Sequence, residues 1–177
     1  MPGKRAVGSR GGQGGFLMME VLLTFVVIGI AMTALNAALI MMVKSNTAGE
    51  ASVVSAHLSQ RMLEEIRLRR WDERTPTPAK YTSNRSNIGR DGAESSADKS
   101  GYDDIDDFDG WSESPPRDPL NNPLTAFDDY ATSVTVRYVN VTTLGSTGSR
   151  TDFKAVQACS WRKKRKSICL DTLITNR

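Results

Sequence analysis

The chain has 177 residues, of which 39% are hydrophobic and 24% charged, so it is long enough for one domain or for a small domain with a membrane element. Residues 1–15 hold three basic residues and no acidic one, and they account for the whole excess of 23 basic over 20 acidic residues. The basic pI therefore does not indicate nucleic-acid binding. Two cysteines without a CxxC pattern, and a single histidine, exclude an ordinary Cys/His zinc site.

The segment after residue 15 predicts a membrane-spanning helix. Residues 21–43 carry no charge, and a helix of this length covers roughly 35 Å, enough for a bilayer core of about 30 Å. The basic residues before it favour a cytoplasmic N-terminus. The alternatives are a buried helix of a soluble protein and a secretory signal peptide cut near Thr47-Ala48-Gly49. The length of the run and its apolar character on nearly all sides argue against a buried soluble helix, and its length and the carboxylate of Glu20 argue against a signal peptide.

The start of this run resembles the cleavage and methylation motif of type IV prepilins. A short basic leader ends at Gly15, and Phe16, three apolar residues and Glu20 follow in the family's order. The resemblance implies that prepilin peptidase cuts between Gly15 and Phe16 and that Phe16 is then N-methylated. It also implies that Glu20, the fifth residue of the mature chain, meets the terminal ammonium of a neighbouring subunit and sets its register.

The physical properties of these residues agree with those roles. A carboxylate in lipid costs about 2.5–3.5 kcal/mol on insertion scales, so Glu20 gains from a cationic partner; otherwise it would reach for the nearby interface. Proline is missing between Phe16 and Trp71, whereas major pilins often have a helix-kinking proline there. This difference favours a minor pilin or a secretion pseudopilin over a bulk subunit.

Residues 44–71 predict an amphipathic continuation of the helix. Val54, Leu58, Met62 and Ile66 recur every four residues, with Leu63 beside them. The helix should end near Trp71, because the TPTP segment at 75–78 cannot continue it. His57 lies on this helix without a second histidine or a cysteine nearby, so we expect a solvent or interface residue.

Residues 72–129 predict a polar connector, with six of the seven prolines. It contains five aspartates that suggest a calcium site, namely Asp103, Asp104, Asp106, Asp107 and Asp109. An EF-hand is excluded, since Ile105 and Pro116 occupy ligand positions of such a loop. We expect a solvated acidic turn with Phe108 and Trp111 packed on the domain, and an irregular calcium site as the alternative. The segment also resembles one in the D-type minor pilins of the mannose-sensitive haemagglutinin (MSHA) pilus system.

Residues 130–177 predict an antiparallel meander of three strands, at 130–141, 152–161 and 167–174. Val134, Val136 and Tyr138 share one face of the first strand. In the second strand Phe153, Ala155, Cys159 and Trp161 share the face expected to pack on the helix, and in the third Ile168, Leu170 and Ile174 do so.

The last two strands place Cys159 and Cys169 opposite each other if the turn is centred on residue 164, which allows a disulfide. The apolar faces of the two strands conflict with that register, and a slip of one residue would unite the faces but separate the cysteines. Both alternatives stay open. The basic run of residues 162–166 lies in the turn and lacks aromatic residues between its charges, so we expect no nucleic-acid binding.

Together these patterns predict an α+β fold, in which a long N-terminal helix packs its amphipathic half on a small antiparallel sheet. No phosphate loop or Ser/His/Asp spacing indicates an enzyme. The resemblance implies a minor pilin-like subunit of an MSHA-type pilus, made in the bacterial inner membrane with a periplasmic C-terminal domain. Its partners would be prepilin peptidase, other pilin or pseudopilin subunits, the inner-membrane assembly platform and the lipid bilayer. The alternatives are a type II secretion pseudopilin and a single-pass periplasmic binding protein that never assembles.

Overall fold

In a computed structural model of the chain, the described residues are 14–77, 81–92, 94–163 and 165–177. One helix and four strands make up its regular structure: α1 (Gly14–Arg67), β1 (Ser112–Glu113), β2 (Tyr130–Tyr138), β3 (Phe153–Arg162) and β4 (Ile168–Thr175). Short 3-10 turns form at Lys99–Gly101, Asp106–Phe108 and Thr125–Phe127. The predicted α+β class is confirmed, with one long helix and an antiparallel sheet.

Helix α1 ends four residues before the predicted position. Arg70 donates its backbone N–H to the carbonyl of Asp103 over 3.1 Å, and Ile105 donates to the carbonyl of Arg70 over 3.0 Å. The backbone after Arg67 therefore pairs with the aspartate-rich residues 103–111, called the acidic segment below, instead of continuing the helix. This tertiary pairing stops α1 well before the prolines that the sequence suggested as the cause.

The chain divides into two compact units, residues 1–47 and residues 48–177. In the first unit every side chain from Met18 to Thr47 is exposed, whatever side of the helix it lies on. In the second unit α1 has one buried face. Leu58, Met62, Leu63 and Ile66 are at most 6% exposed, as the four-residue spacing predicted, while Val54 is only half-buried.

The sheet of the second unit has the order β1-β2-β3-β4, and all its pairs are antiparallel. The three predicted strands are present within a few residues of their expected bounds. The fourth strand, β1, lies in the predicted connector, and Glu113 pairs there with Thr132 of β2. Residues 72–129 thus contribute a strand to the sheet and are more than a polar connector.

The inner face of β3 differs from the prediction. Lys154, Val156, Ala158 and Ser160 are all fully buried, whereas Phe153, Cys159 and Trp161 are partly exposed on the other face. The inner residues pair across the sheet with the buried side of β2: Val156 opposite Val136 and Ala158 opposite Val134. The sequence analysis assigned the other face of β3 to the core, because Lys154 and Ser160 make the true inner face less apolar.

The core lies between the second part of α1, the sheet and the acidic segment. Tyr102, Ile105, Phe108 and Trp111 are at most 3% exposed and join the helix and strand residues in one hydrophobic cluster. Tyr102 makes edge-to-face contacts with the rings of Phe108 and Trp111, at centroid distances of 5.1 and 5.5 Å. The expectation that Phe108 and Trp111 pack on the domain is confirmed.

Candidate functional site

The expected processing site lies at the beginning of α1. Gly15 and Phe16 belong to the backbone of this helix, which begins at Gly14. Residues 1–13 of the expected leader lie outside the described residues. Glu20 is exposed on the same helix, one turn after Phe16.

The helix around Glu20 is long and apolar enough to cross a membrane, by its length and composition. None of its most apolar window is buried within the chain. Large side chains such as Met18, Leu22 and Phe25 are 73%, 64% and 66% exposed. A helix that is apolar on every side is unfavourable in water. We therefore expect lipid or another protein to cover this part of α1.

The acidic segment is folded onto itself and is not a solvated turn as expected. Asp107 accepts hydrogen bonds from the backbone N–H groups of Asp103 and Asp104, both at 3.0 Å. Asp104 accepts from the N–H groups of Asp106 and Asp107 at 2.8 and 3.3 Å. Asp104, Asp106 and Asp107 are at most 2% exposed. Backbone donors replace water at Asp104 and Asp107, and the Ser86 hydroxyl and the Lys154 ammonium replace it at Asp106.

The five aspartates do not converge on one point. Asp103 forms an ion pair with Arg70, Asp106 with Lys154, and Asp109 accepts a hydrogen bond from the N–H of Val136 at 2.8 Å. Two smaller groups of carboxylates are close enough to share a cation, with ligand atoms within 4.8 Å of one another: Glu73 with Asp103 and Asp104, and Glu94 with Asp103 and Asp107. The sequence pattern missed Glu73 and Glu94, since both lie outside the aspartate run.

Burial, together with neighbouring negative charge, raises the pKa of two of these carboxyl groups. Burial, and then the neighbouring Asp107, raise the pKa of Glu94 to about 7. Burial, and then the charge of Asp106, raise the pKa of Asp104 to about 9. Asp104 therefore holds a proton at neutral pH, and Glu94 titrates close to neutral pH. A bound cation would compete with these protons for the same oxygens.

A lysine from β3 joins the acidic segment to the end of α1. The Lys154 Nζ is fully buried, pairs with Asp106, and lies 3.6 Å from Asp72. It also donates to the carbonyl of Trp71 over 2.6 Å and sits 4.1 Å from the centroid of that ring. Backbone bonds from Ser86 and Arg74, with the charge of Lys154, lower the pKa of Asp72 although its burial opposes this. Lys154 is thus the cation of a buried network that spans three segments.

A second buried lysine links other segments of the same unit. Lys99 pairs with Glu65 of α1 over 3.0 Å and with Glu113 of β1 over 3.3 Å, and all three side chains are at most 5% exposed. Glu113 also accepts hydrogen bonds from the Trp111 Nε1 and the Arg117 N–H, both at 3.0 Å. A glutamate on an amphipathic helix is ordinarily expected on its polar side, but Glu65 is buried because Lys99 neutralises its charge.

The two cysteines face each other across β3 and β4. Cys159 pairs with Cys169 in the register, and the two sulfur atoms are bonded. The conflict seen in the sequence is resolved because the inner face of β3 is the one with Lys154. That face pairs with Ile168, Leu170 and Ile174 of β4, so the symmetric register unites the buried sides.

His57 is exposed on α1, as expected.

The basic turn after β3 is exposed at Lys163, Arg165 and Lys166. Asp129 pairs with Arg162 at 3.5 Å and with Lys163 at 3.9 Å. Arg165 and Lys166 line a groove of about 260 Å³ against the start of the second unit's helix.

No family model, no curated protein and no solved structure matches this chain.

Proposed function

We propose that this chain is a minor pilin-like subunit of an MSHA-type pilus, made as a prepilin and assembled through α1. The observation that carries the proposal is the position of Glu20: a single carboxylate, one turn after Phe16, at the start of the part of α1 whose side chains, from Met18 to Thr47, are exposed on every side. The order of the leader, Gly15, Phe16 and Glu20 supports the same function.

Before assembly, lipid would cover the apolar part of α1. After assembly, the helices of neighbouring subunits would replace the lipid, with apolar contacts on all sides of the helix. Lipid and apolar side chains offer similar surroundings, so helix packing alone gives little direction to the exchange. A polar contact is then needed to select one position along the helix.

Glu20 would supply that contact. Cutting the Gly15–Phe16 bond creates an ammonium at Phe16, and a subunit entering the filament would pair it with the Glu20 carboxylate of its neighbour. In surroundings of low dielectric constant, two such charges attract strongly at a few ångström and a lone carboxylate is unfavourable. A shift of one helical turn would separate the pair by about 5.4 Å, so the contact favours one register.

The second unit would determine which subunits meet. Its sheet, the acidic segment and the turn after β3 form the surface outside the helix. The buried networks of Lys154 and Lys99 hold the sheet and the acidic segment in fixed positions against the end of α1. A minor subunit needs such a rigid, individual surface to initiate or end a filament.

Two measurements in the native host test this proposal. The mass of the N-terminal peptide should correspond to an N-methylated Phe16; an intact Met1 or a cut near residue 48 would refute prepilin processing. Glu20→Ala should lower the amount of the subunit in sheared filaments at least about tenfold while processing continues. Glu50→Ala is the control, because it removes another exposed carboxylate of α1 beyond the apolar run.

The same strains separate the related functions. If processing is normal but deletion of the gene abolishes protein secretion and leaves pili intact, the chain is a secretion pseudopilin. If Glu20→Ala changes neither filament content nor secretion, the subunit does not assemble through this residue, and a membrane-anchored binding protein is the better description.

A further inference from the structure

The turn between β3 and β4 concentrates positive charge at one place. Five consecutive basic residues occupy positions 162–166, and Asp129 is the acidic residue that pairs with two of them. Arg165 and Lys166 are exposed and form no ion pair within the described part of the chain. The turn therefore carries more positive charge than its own surroundings neutralise.

This turn lies against the first helical turns of the second unit. Arg165 and Lys166 line one side of a groove whose other side is Ala48, Ala51, Ser52 and Ser55. Next to the groove, the Ser59 hydroxyl donates to the carbonyl of Ile168 over 3.1 Å and holds the start of β4 on α1. The basic side chains are thus anchored near Ala48, the residue at which the second unit begins.

The second unit follows the apolar run closely in the sequence. Val43 is the last residue of that run, and Ala48 follows it by five residues. Five residues span at most about 18 Å even when fully extended. If residues 21–43 cross a bilayer, the second unit with its basic turn is tethered to the bilayer surface through this short segment.

The anionic phospholipid headgroups of such a bilayer are a suitable ligand for the charge of this turn. Several basic groups within a Debye length of about 8–10 Å act on these headgroups together.

We propose that the basic turn, through Arg162, Lys163, Arg165 and Lys166, binds the phosphate groups of anionic phospholipids at the surface of the bilayer that anchors the chain. The proposal rests on the membrane anchoring in the proposed function and is independent of pilus assembly. Such binding would hold the second unit against the membrane before assembly, and it would weaken as salt screens the charges.

Hydrogen exchange of the full chain in lipid nanodiscs tests this binding. One set of discs contains phosphatidylcholine alone, and the other contains about a third phosphatidylglycerol. The backbone amides of the turn and of the first residues of β4 should exchange at least about fivefold more slowly in the anionic discs, the factor that one basic group near such a surface supplies. The variant Lys163→Gln/Arg165→Gln/Lys166→Gln should lose this difference.

A matched triple variant controls for the loss of net charge. Arg69→Gln/Arg137→Gln/Arg177→Gln removes three basic residues that form no ion pair within the described residues, and it should keep the difference. Equal exchange of the turn in both kinds of disc would overturn the proposal. So would protection of the turn by duplex DNA in neutral discs without an effect of anionic lipid, which would make it a nucleic-acid site.

The amides of residues 21–43 report on the anchoring separately. Protection of these amides in both kinds of disc, with an unresponsive turn, would refute headgroup binding and leave the proposed function intact. Rapid exchange of residues 21–43 in both kinds of disc would refute the membrane helix itself, and both proposals would fail.

Discussion

Lys154 combines two roles that seldom occur in one residue: it lies on an inner strand of a sheet and provides one of the two buried positive charges described for the second unit. Its ammonium meets Asp106, Asp72, the Trp71 carbonyl and the Trp71 ring, all contributed by segments distant in sequence. A buried cation with several partners specifies the arrangement of those partners, although an apolar replacement of the whole network can be equally stable. Lys154 therefore defines how the end of α1, the acidic segment and β3 fit together.

Removing the cation alone should be strongly destabilising. Lys154→Met leaves two buried carboxyls without their partner, and we expect the free energy of unfolding in detergent to fall by about 3–5 kcal/mol. Lys163→Met, at an exposed lysine on the same hairpin, should change it by less than about 0.5 kcal/mol. Adding Asp106→Asn to Lys154→Met should recover part of the loss, since one carboxyl no longer needs a cation. A loss for Lys154→Met as small as that of Lys163→Met would contradict this role.

Asp104 predicts a pH dependence with an unusual sign. Its pKa is raised to about 9 in the folded protein, against about 3.9 for a free aspartate, so the folded state holds an additional proton between these values. Stability then falls as the pH rises from about 4 to about 9, because deprotonation is easier in the unfolded chain. Asp104→Asn keeps an oxygen acceptor for the N–H groups of Asp106 and Asp107 and removes the titration.

The Tm of Asp104→Asn relative to the unchanged chain measures this effect. The difference should grow from pH 6 to pH 9 in favour of the variant, by roughly 2–4 °C for each 1 kcal/mol. Asp128→Asn, at an exposed aspartate, should show the same Tm as the unchanged chain at each pH. A constant difference between Asp104→Asn and the unchanged chain would show that Asp104 does not titrate in this range.

At the scale of elements, periodicity predicted where helices and strands lie better than which side they bury. Apolar spacing placed Leu58, Met62 and Ile66 correctly because the buried face of α1 there is mostly hydrophobic. The same rule failed for β3, whose buried face includes Lys154 and Ser160. Ser160 shares a hydrogen bond of 3.0 Å with Thr132 of β2, and Lys154 has the acidic network. Partners from distant segments made these polar residues suitable for the core, and a local pattern contains no information about them.

The bond between Cys159 and Cys169 joins the β3–β4 hairpin on its outer side. It closes a loop with a sequence separation of 10, so its removal should cost about 2–3 kcal/mol through the greater freedom of the unfolded chain. Cys159→Ser/Cys169→Ser should lower the free energy of unfolding by that amount and keep the native circular dichroism, because the inner faces of both strands still pack on the core. The unchanged chain with a reductant should behave like this variant. An equal stability of the oxidised and reduced chains would contradict the contribution of the bond.

At the scale of the whole molecule, the two units differ in what surrounds them. Met18 to Thr47 present side chains that are exposed throughout, whereas residues 48–177 have a core of their own. The sequence predicted this division from the uncharged residues 21–43 and the periodic residues after them. It could not predict the folded acidic segment, since Asp104 and Asp107 are buried by hydrogen bonds to their own backbone, nor the small β1 strand, whose two residues have no recognisable pattern.

Extraction of membranes tests the character of the first unit in the full chain. After an alkaline carbonate wash, we expect the chain to remain in the membrane pellet, as an integral protein does. Val27→Asp/Leu35→Asp should move most of it to the supernatant, because each carboxylate in the bilayer core costs about 2.5–3.5 kcal/mol. Thr47→Asp/Ser52→Asp, which adds the same charge beyond the apolar run, should leave it in the pellet. Release of the unchanged chain by carbonate would contradict a membrane-spanning helix.

The network of Lys154 also sets an order in time. Trp71 is 83 residues and Asp106 48 residues ahead of Lys154, so a growing chain contains the carboxyls and the ring long before it contains their cation. Until β3 has been synthesised, Asp72 and Asp106 at the centre of the second unit lack their cation, and unpaired carboxylates disfavour burial. The core of the second unit can therefore close only in a late step, when residues 154–177 have been made.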